Sequence, residues 1–420
     1  MYKDREAIFD ALYSILIEGA YSNIAVNNAL KKHNVYSKKY VRNVVKGVLR
    51  YLLLLDYYID SLSKRGIKSI KKNDLLLLRI GMYEILYVNS VPDYATVNQI
   101  VVMAKKKCKG REKFINGILR TFIRTKDEIK FPKDENKNIS IRESYPIGLI
   151  ELFLKQYGKD DALKIIKGLN ENPNLTLRFN NLKTNREKLI NEMEGLEPSE
   201  MTDLTIIAKN SETISSEQYI EGMFSIQGEA SVMAMKLLDP KPNSKVLDMC
   251  AAPGGKTTCM AEMMNNKGSI IACDIYEHRL KLIEKECDRL SIDIVTTENM
   301  NGAVHNIEYD ESFDYVLADV PCSGLGVIGK KPEIKYNCSI EEMKELPELQ
   351  YKILENAGKY VKKNGYVMYS TCTLNKEENE KVIEKFLNNN SEFKLVEKNT
   401  TLPYNGKVDG FFYCKIIKFE

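Results

Sequence analysis

The sequence predicts three modules in series: an all-α front third, a small α+β middle and a doubly wound α/β rear half. Three observations carry this. The 420 residues exceed one ordinary core. Apolar positions recur at helical spacing through the front of the chain. From about residue 226 short apolar strands alternate with helical stretches, the pattern of a parallel sheet covered on both faces. The expected bounds are 1–132 for the helical module, 133–144 for a linker, 145–225 for the middle module and 226–420 for the α/β module.

Residues 4 to about 130 read as helices. Val41, Val44, Val45, Val48, Leu49 and Leu52 form a stripe at i, i+3, i+4, i+7, i+8 and i+11. Val91-Pro92-Asp93 interrupts the pattern, and a new helix is expected near Thr96. The cluster from Lys105 to Arg111 falls at a helix end or loop, where it can meet phosphates or complement the helix dipole. Phe114 to Arg120 opens the last helix of this module. The stretch from Phe131 to Asn138 is polar and lacks periodicity, which makes it the linker candidate. In the middle module Leu175–Phe179 and Leu204–Ala208 read as strands among helical pattern. Farther on, Lys245–Asp248, Ser269–Asp274, Tyr315–Asp319 and Tyr366–Ser370 are the candidate strands. In such sheets ligands bind beyond the carboxyl ends of the strands.

Composition bounds the function. No apolar run reaches 18 residues and the first residues lack a signal-peptide core, so a cytoplasmic, membrane-free protein is expected. Nine cysteines should then stay reduced. None forms a Cys-x-x-Cys pair, and His33, His278 and His305 are scattered, so no metal site is expected. Residues 1–130 carry 25 Lys and Arg against 12 Asp and Glu, while the remainder is net acidic. A basic front points to a polyanion such as RNA, although lysines also solvate ordinary helix faces. No long amphipathic seam is evident, and a monomer is expected.

The richest segment is Cys250-Ala251-Ala252-Pro253-Gly254-Gly255-Lys256-Thr257, between the strand Lys245–Asp248 and a helix start. Small side chains let backbone approach a ligand, and a helix N-terminus offers free N–H groups. A phosphate-binding P-loop fails because Cys250 stands at its first glycine. A dinucleotide loop fails for want of G-x-G-x-x-G. S-adenosylmethionine remains as the cofactor, and Asp274 at the end of the next strand can accept ribose hydroxyls, unless it only caps a helix.

Two further strand ends carry Asp319-Val320-Pro321-Cys322-Ser323-Gly324 and Ser370-Thr371-Cys372-Thr373. One cysteine is usually a small buried hydrophobe, but two at neighbouring strand ends suit methylation at carbon 5 of a pyrimidine. A thiolate adding to carbon 6 makes carbon 5 nucleophilic, and Asp319 is placed to share a proton with ring nitrogen 3. Spacing alone does not choose between Cys372 and Cys322 as attacker. A zinc deaminase is excluded, since Leu325 stands at its second cysteine and H-x-E is missing.

At these motifs, and at Asp409-Gly410-Phe411-Phe412, the chain resembles the RsmB/Sun branch of the RNA cytosine carbon-5 methyltransferases. The resemblance implies that Cys372 is the nucleophile and that Cys322 helps release the product. It implies cofactor contacts from Cys250 to Lys256, from Asp274 and from Asp319. It also places Asn299 where the family usually has an aspartate at the adenine end. Val91 to Ile100 and Phe114 to Arg120 resemble a NusB-like RNA-binding helical domain. The expected architecture is thus NusB-like, then a small RRM-like α+β module, then a Rossmann-like methyltransferase domain, acting on 16S ribosomal RNA. Lys330 to Tyr336 is a candidate substrate loop, with Tyr336 stacking on a base, and Phe411 and Phe412 wall the pocket or form a buried strand. The alternatives are the same chemistry on transfer RNA or 23S RNA, and a non-catalytic RNA-binding or transcription factor built on the helical module.

Overall fold

The apolar stripe from Val41 to Leu49 lies fully buried on the helix Lys38–Arg50 in a computed structural model, which describes residues 2–337 and 339–419. Tyr51 ends that helix, so Leu52 opens the next one and continues the stripe into the same core. Six more helices complete the front module: Tyr2–Leu16, Ser22–Lys32, Leu52–Leu62, Lys72–Tyr87, Asp93–Lys107 and Glu112–Thr125. Pro92 stands just before Asp93, so the sixth helix starts three residues earlier than its apolar pattern suggests. A buried polar node ties four helices together. Glu84 accepts from Arg5 Nη2 at 2.6 Å, the Tyr40 hydroxyl at 2.6 Å and Thr96 Oγ1 at 3.1 Å.

The segment read as a linker, 133–144, is instead the helix Glu135–Arg142. Its cause is local chemistry rather than periodicity. Asp134 accepts from the Lys137 amide at 2.8 Å as N-cap, and the Arg142 guanidinium lies 3.9 Å from the Phe131 ring centre. Residues 2–155 and 331–337 form one compact unit, and 156–330 with 339–419 form the other. The long helix Ile147–Gly168 is interrupted at Gly158, whose φ is 72°.

The second unit holds two sheets. The smaller contains β1 (Leu175–Phe179), β2 (Leu196–Pro198), β3 (Thr205–Ala208) and β4 (Phe224–Ile226). Its antiparallel order β2-β3-β1-β4, with helices Arg186–Glu192 and Glu217–Ile220 in the crossovers, is a ferredoxin-like βαββαβ arrangement, the topology of an RRM-like module. The larger contains β5 (Lys245–Asp248), β6 (Ser269–Asp274), β7 (Val295–Asn299), β8 (Phe313–Asp319), β9 (Val361–Thr371), β10 (Phe393–Thr401) and β11 (Phe411–Lys418). Its order is β10-β11-β9-β8-β5-β6-β7, with β5 to β9 parallel and β11 antiparallel to both neighbours. The strand order reverses between β5 and β8, which puts the ligand crevice at their carboxyl ends. Separate apolar clusters cover the two faces of this sheet. No helix of the described residues is long and apolar enough to cross a membrane.

Candidate active site

The glycine loop leaves β5 at Asp248 and enters the helix Gly255–Met263. Gly254 makes the turn at φ 102°, a backbone conformation that L side chains rarely adopt. The Ala251 amide bonds Cys273 O at 2.7 Å, which pins the loop to the neighbouring strand β6. Because the helix begins at Gly255, the amides of its first turn before Thr258 have no intrahelical carbonyl a turn earlier.

A residue from the small sheet fixes this helix. Arg178 on β1 is 2% exposed and grips both oxygens of Glu262, at 2.9 and 2.8 Å. It also donates to Gly255 O at 2.7 Å, to Thr258 Oγ1 at 3.0 Å and to Gln227 Oε1. Nothing in the local sequence marks Arg178 for this, since its partners lie 49 to 84 residues away.

Asp274 closes β6 with its carboxylate buried, accepting from the Tyr276 amide at 3.0 Å and from Arg279 at 3.0 Å. Both of its oxygens are thus engaged within the chain, Oδ1 by the Tyr276 amide and both by Arg279. Asn299, at the end of β7, spends its amide nitrogen on Asp274 O and Ile275 O at 3.1 and 3.0 Å. Asp248 escaped the sequence reading. It is fully buried, Oδ2 accepts from Thr257 at 2.7 Å, and Oδ1 has no partner among the described residues. Burial pushes its pKa up to about 7.

The two cysteine motifs converge. Cys322 follows β8, Cys372 follows β9, and their Sγ atoms lie 3.2 Å apart. Asp319 at the end of β8 takes Lys256 Nζ on one oxygen and Ser370 Oγ on the other, both at 2.7 Å. Burial opposes the charge on Lys256, but Asp319 outweighs it and Cys372 adds to the effect, so the lysine pKa lies above its usual value. The contact with Cys372, then burial, pushes the Cys322 thiol well above the usual range. Burial does the same to Cys250, which sits in the glycine loop.

The segment after β8 departs from expectation. Lys335 is 1% exposed, with Nζ donating to Arg50 O at 3.1 Å and lying 3.8 Å from the Tyr145 ring centre. The Tyr336 hydroxyl bonds Ser144 Oγ at 3.1 Å, and Lys330 pairs with Asp409. Lys335 and Tyr336 are committed to the protein rather than presented to a substrate, because residues 331–337 belong to the helical unit, while Lys330 belongs to the other unit. Phe411 and Phe412 divide their roles. Phe411 packs under Lys256, 5.1 Å from its ammonium, while Phe412 is buried in the core on the opposite sheet face.

Residues 235–417 match the family described as 16S rRNA methyltransferase RsmB/F, 2–124 match the NusB family, and 145–201 match the RsmF/B-like ferredoxin-like domain. A protein of Bacillus subtilis (strain 168) named "Probable ribosomal RNA small subunit methyltransferase B" is 33% identical over 99% of this chain and 98% of its own. One of Escherichia coli O1:K1, "Ribosomal RNA small subunit methyltransferase B", is 30% identical over 91% and 90%. The crystal structure of PH0851 aligns at a TM-score of 0.86 and 29% identity, covering 100% of this chain and 99% of that one. A Pyrococcus horikoshii structure titled as a methyltransferase homolog aligns at a TM-score of 0.61 and 26% identity, over 69% of this chain and 100% of its own. With full-length relatives and all three modules matched in order, the chain belongs to the ribosomal RNA small subunit methyltransferase B family.

Proposed function

We propose that the chain methylates carbon 5 of a cytosine in 16S ribosomal RNA, through a covalent bond between Cys372 and carbon 6 of that base. The observation that carries this reading is the meeting of two thiols at 3.2 Å beside a carboxylate that already holds a lysine. The names of the relatives support small-subunit ribosomal RNA as the substrate. The cytoplasm, where thiols stay reduced, is the fitting compartment.

The cofactor is S-adenosylmethionine, which when bound supplies a methyl group on a cationic sulfonium. The residues present fit it. Backbone from Cys250 to Lys256 would line it, and the buried orphan oxygen of Asp248 would accept from its ammonium group. Asp274 would take the ribose hydroxyls in competition with Arg279, and Asn299 would flank the adenine end.

Addition, charge relief and thiol release at the base each have an owner in this chain. The Cys372 thiolate adds to carbon 6, and the electron pair of the ring double bond moves to carbon 5. Asp319 shares a proton with nitrogen 3 to relieve the charge that develops, while Lys256 keeps the carboxylate oriented. After methyl transfer the carbon-5 proton passes to solvent, the electron pair of that C–H bond re-forms the ring double bond, and the sulfur–carbon bond breaks, returning its electrons to Cys372. Cys322, a thiol at this point, lies against the departing sulfur. The target base must be unpaired or flipped out to enter.

The test incubates the wild-type chain, Cys372→Ala and Cys322→Ala with small-subunit RNA and tritiated S-adenosylmethionine. Cys372→Ala should abolish transfer, and Cys322→Ala should accumulate a protein–RNA adduct on denaturing gels. Methylation by Cys372→Ala would make Cys322 the attacker, and label mapping elsewhere than carbon 5 would end the reading.

A further inference from the structure

One fully buried carboxylate outside the groups assigned above touches both cysteine loops. Glu378, in the turn before the helix Glu380–Asn389, is 0% exposed. Its Oε2 accepts from the Ser323 amide at 2.9 Å and from Gln350 Nε2 at 3.0 Å. Its Oε1 accepts from Ser323 Oγ at 2.6 Å and Asn375 Nδ2 at 3.0 Å. Ser323 directly follows Cys322, and the same Gln350 nitrogen bonds the carbonyl of Pro321, which directly precedes it, at 2.9 Å. The Cys322 backbone is therefore held on both sides. On the other loop Thr373, directly after Cys372, shares a hydrogen bond with Ser323 Oγ at 2.7 Å and accepts from the Asn375 amide at 3.2 Å.

We propose that Glu378 is a positioning residue that holds Cys322 against Cys372 and keeps it a neutral thiol, so that two identical side chains take different parts. The proposal rests on the two-cysteine reading above. Its geometric ground is that one carboxylate takes hydrogen bonds from both loops, which sets the separation of the two sulfurs.

Its electrostatic ground is the nature of the partners. Ser323, Gln350 and Asn375 are neutral donors, so the charge of Glu378 is hydrogen-bonded but not cancelled. Cys372, burial and then Glu378 disfavour a charge on Cys322, with the buried phenol Tyr369 nearby, while the Gly324 amide favours one less strongly. The Lys256 ammonium, itself paired with Asp319 at 2.7 Å, attracts charge on Cys372. A carboxylate thus acts on one sulfur and a cation on the other. A neutral Cys322 can point its S–H at the Cys372 sulfur whenever that sulfur carries charge, both as it attacks and as it leaves.

The test needs neither RNA nor cofactor. The full chain is treated with iodoacetamide across a pH series, and alkylation of each cysteine is followed by peptide mass spectrometry. In the wild type Cys372 should react at lower pH than Cys322. In Glu378→Gln the Cys322 profile should move to lower pH, with alkylation near neutrality about tenfold faster for each unit moved, while Cys372 moves less. Glu378→Asp, which keeps the charge, should restore the wild-type Cys322 profile. Identical Cys322 profiles in wild type and Glu378→Gln would overturn the proposal, as would a shift in Glu378→Asp as large as in Glu378→Gln. If the glutamine variant does not fold, the wild-type order decides, and Cys322 reacting at lower pH than Cys372 overturns it. A wild-type chain that fails to methylate RNA would sink the functional reading and leave this result standing.

Discussion

Asp248 shows what a single sealed carboxylate does to the molecule. Burial raises its folded-state pKa to about 7, far above the ordinary 3.8 of an aspartate. Between those values the unfolded chain releases the proton and the folded chain keeps it. Folding stability therefore falls as pH rises from about 4 to about 7 and levels off above that. Asp248→Asn should flatten this dependence, read as melting temperature against pH in the absence of cofactor. An unchanged slope would place the buried charge elsewhere. At this scale the sequence was informative where chemistry is written in adjacent residues. Cys322, Cys372, Asp319 and the glycine loop stand in short motifs at strand ends, and the fold brings them together. Asp248, Arg178 and Glu378 stood in view without a signal. Their partners come from other segments, and a buried charge looks like any other charge until its neighbours are known.

Elements were legible where a period or a breaker marks them. The parallel strands β5 and β6 have the bounds their apolar runs suggested, and β8 and β9 begin earlier only because their first residues are mixed in polarity. The helix Glu135–Arg142 was not legible, because a cap and a ring contact replace an apolar face there. The Asp409-Gly410-Phe411-Phe412 motif had no reason in sequence, and packing supplies one. A methyl group built on Gly326 would lie 1.9 Å from Gly410 O and 2.9 Å from Cys372 O. The Gly326 amide also bonds Cys372 O at 2.9 Å, and the Gly410 amide bonds Gly326 O at 2.8 Å. These two glycines let three backbones meet behind Cys372. Gly326→Ala should cost roughly 1–3 kcal/mol of stability as overpacking and slow methyl transfer by more than that loss of fold explains. Thermal melting together with kcat at saturating RNA checks it, and full activity in the alanine variant would refute the close approach.

Over the whole molecule charge is uneven: residues 1–130 carry 25 Lys and Arg against 12 Asp and Glu, while the remainder is net acidic. In the helical unit a groove of about 520 Å³ is lined by Asp93, Tyr94, Val97, Arg120, Ile123 and Arg124. Tyr94 is 70% exposed, and the guanidinium groups of Arg120 and Arg124 bond the neutral Asn116 and Thr121 side chains. An aromatic ring beside two guanidinium groups suits a nucleotide of single-stranded RNA, the ring for the base and the guanidinium groups for phosphates. Reversing both charges, Arg120→Glu with Arg124→Glu, should raise KM for RNA with little change in kcat. The salt slope of binding should fall by roughly 1 for each phosphate the variant no longer neutralises. Binding curves at several salt concentrations read this directly, and an unaltered slope would move the RNA path to another face.

Arg178 carries a consequence for how such a chain can be cut or shuffled. The guanidinium belongs to β1 of the small sheet, and the carboxylate it neutralises, Glu262, belongs to the helix that follows the glycine loop. A fragment starting after β4 would keep Glu262 in the interior with its counter-ion amputated, a defect of about 3–5 kcal/mol. The ferredoxin-like piece is therefore no detachable accessory. A fragment starting after β4 should melt well below the full chain, and equal melting temperatures would refute this dependence.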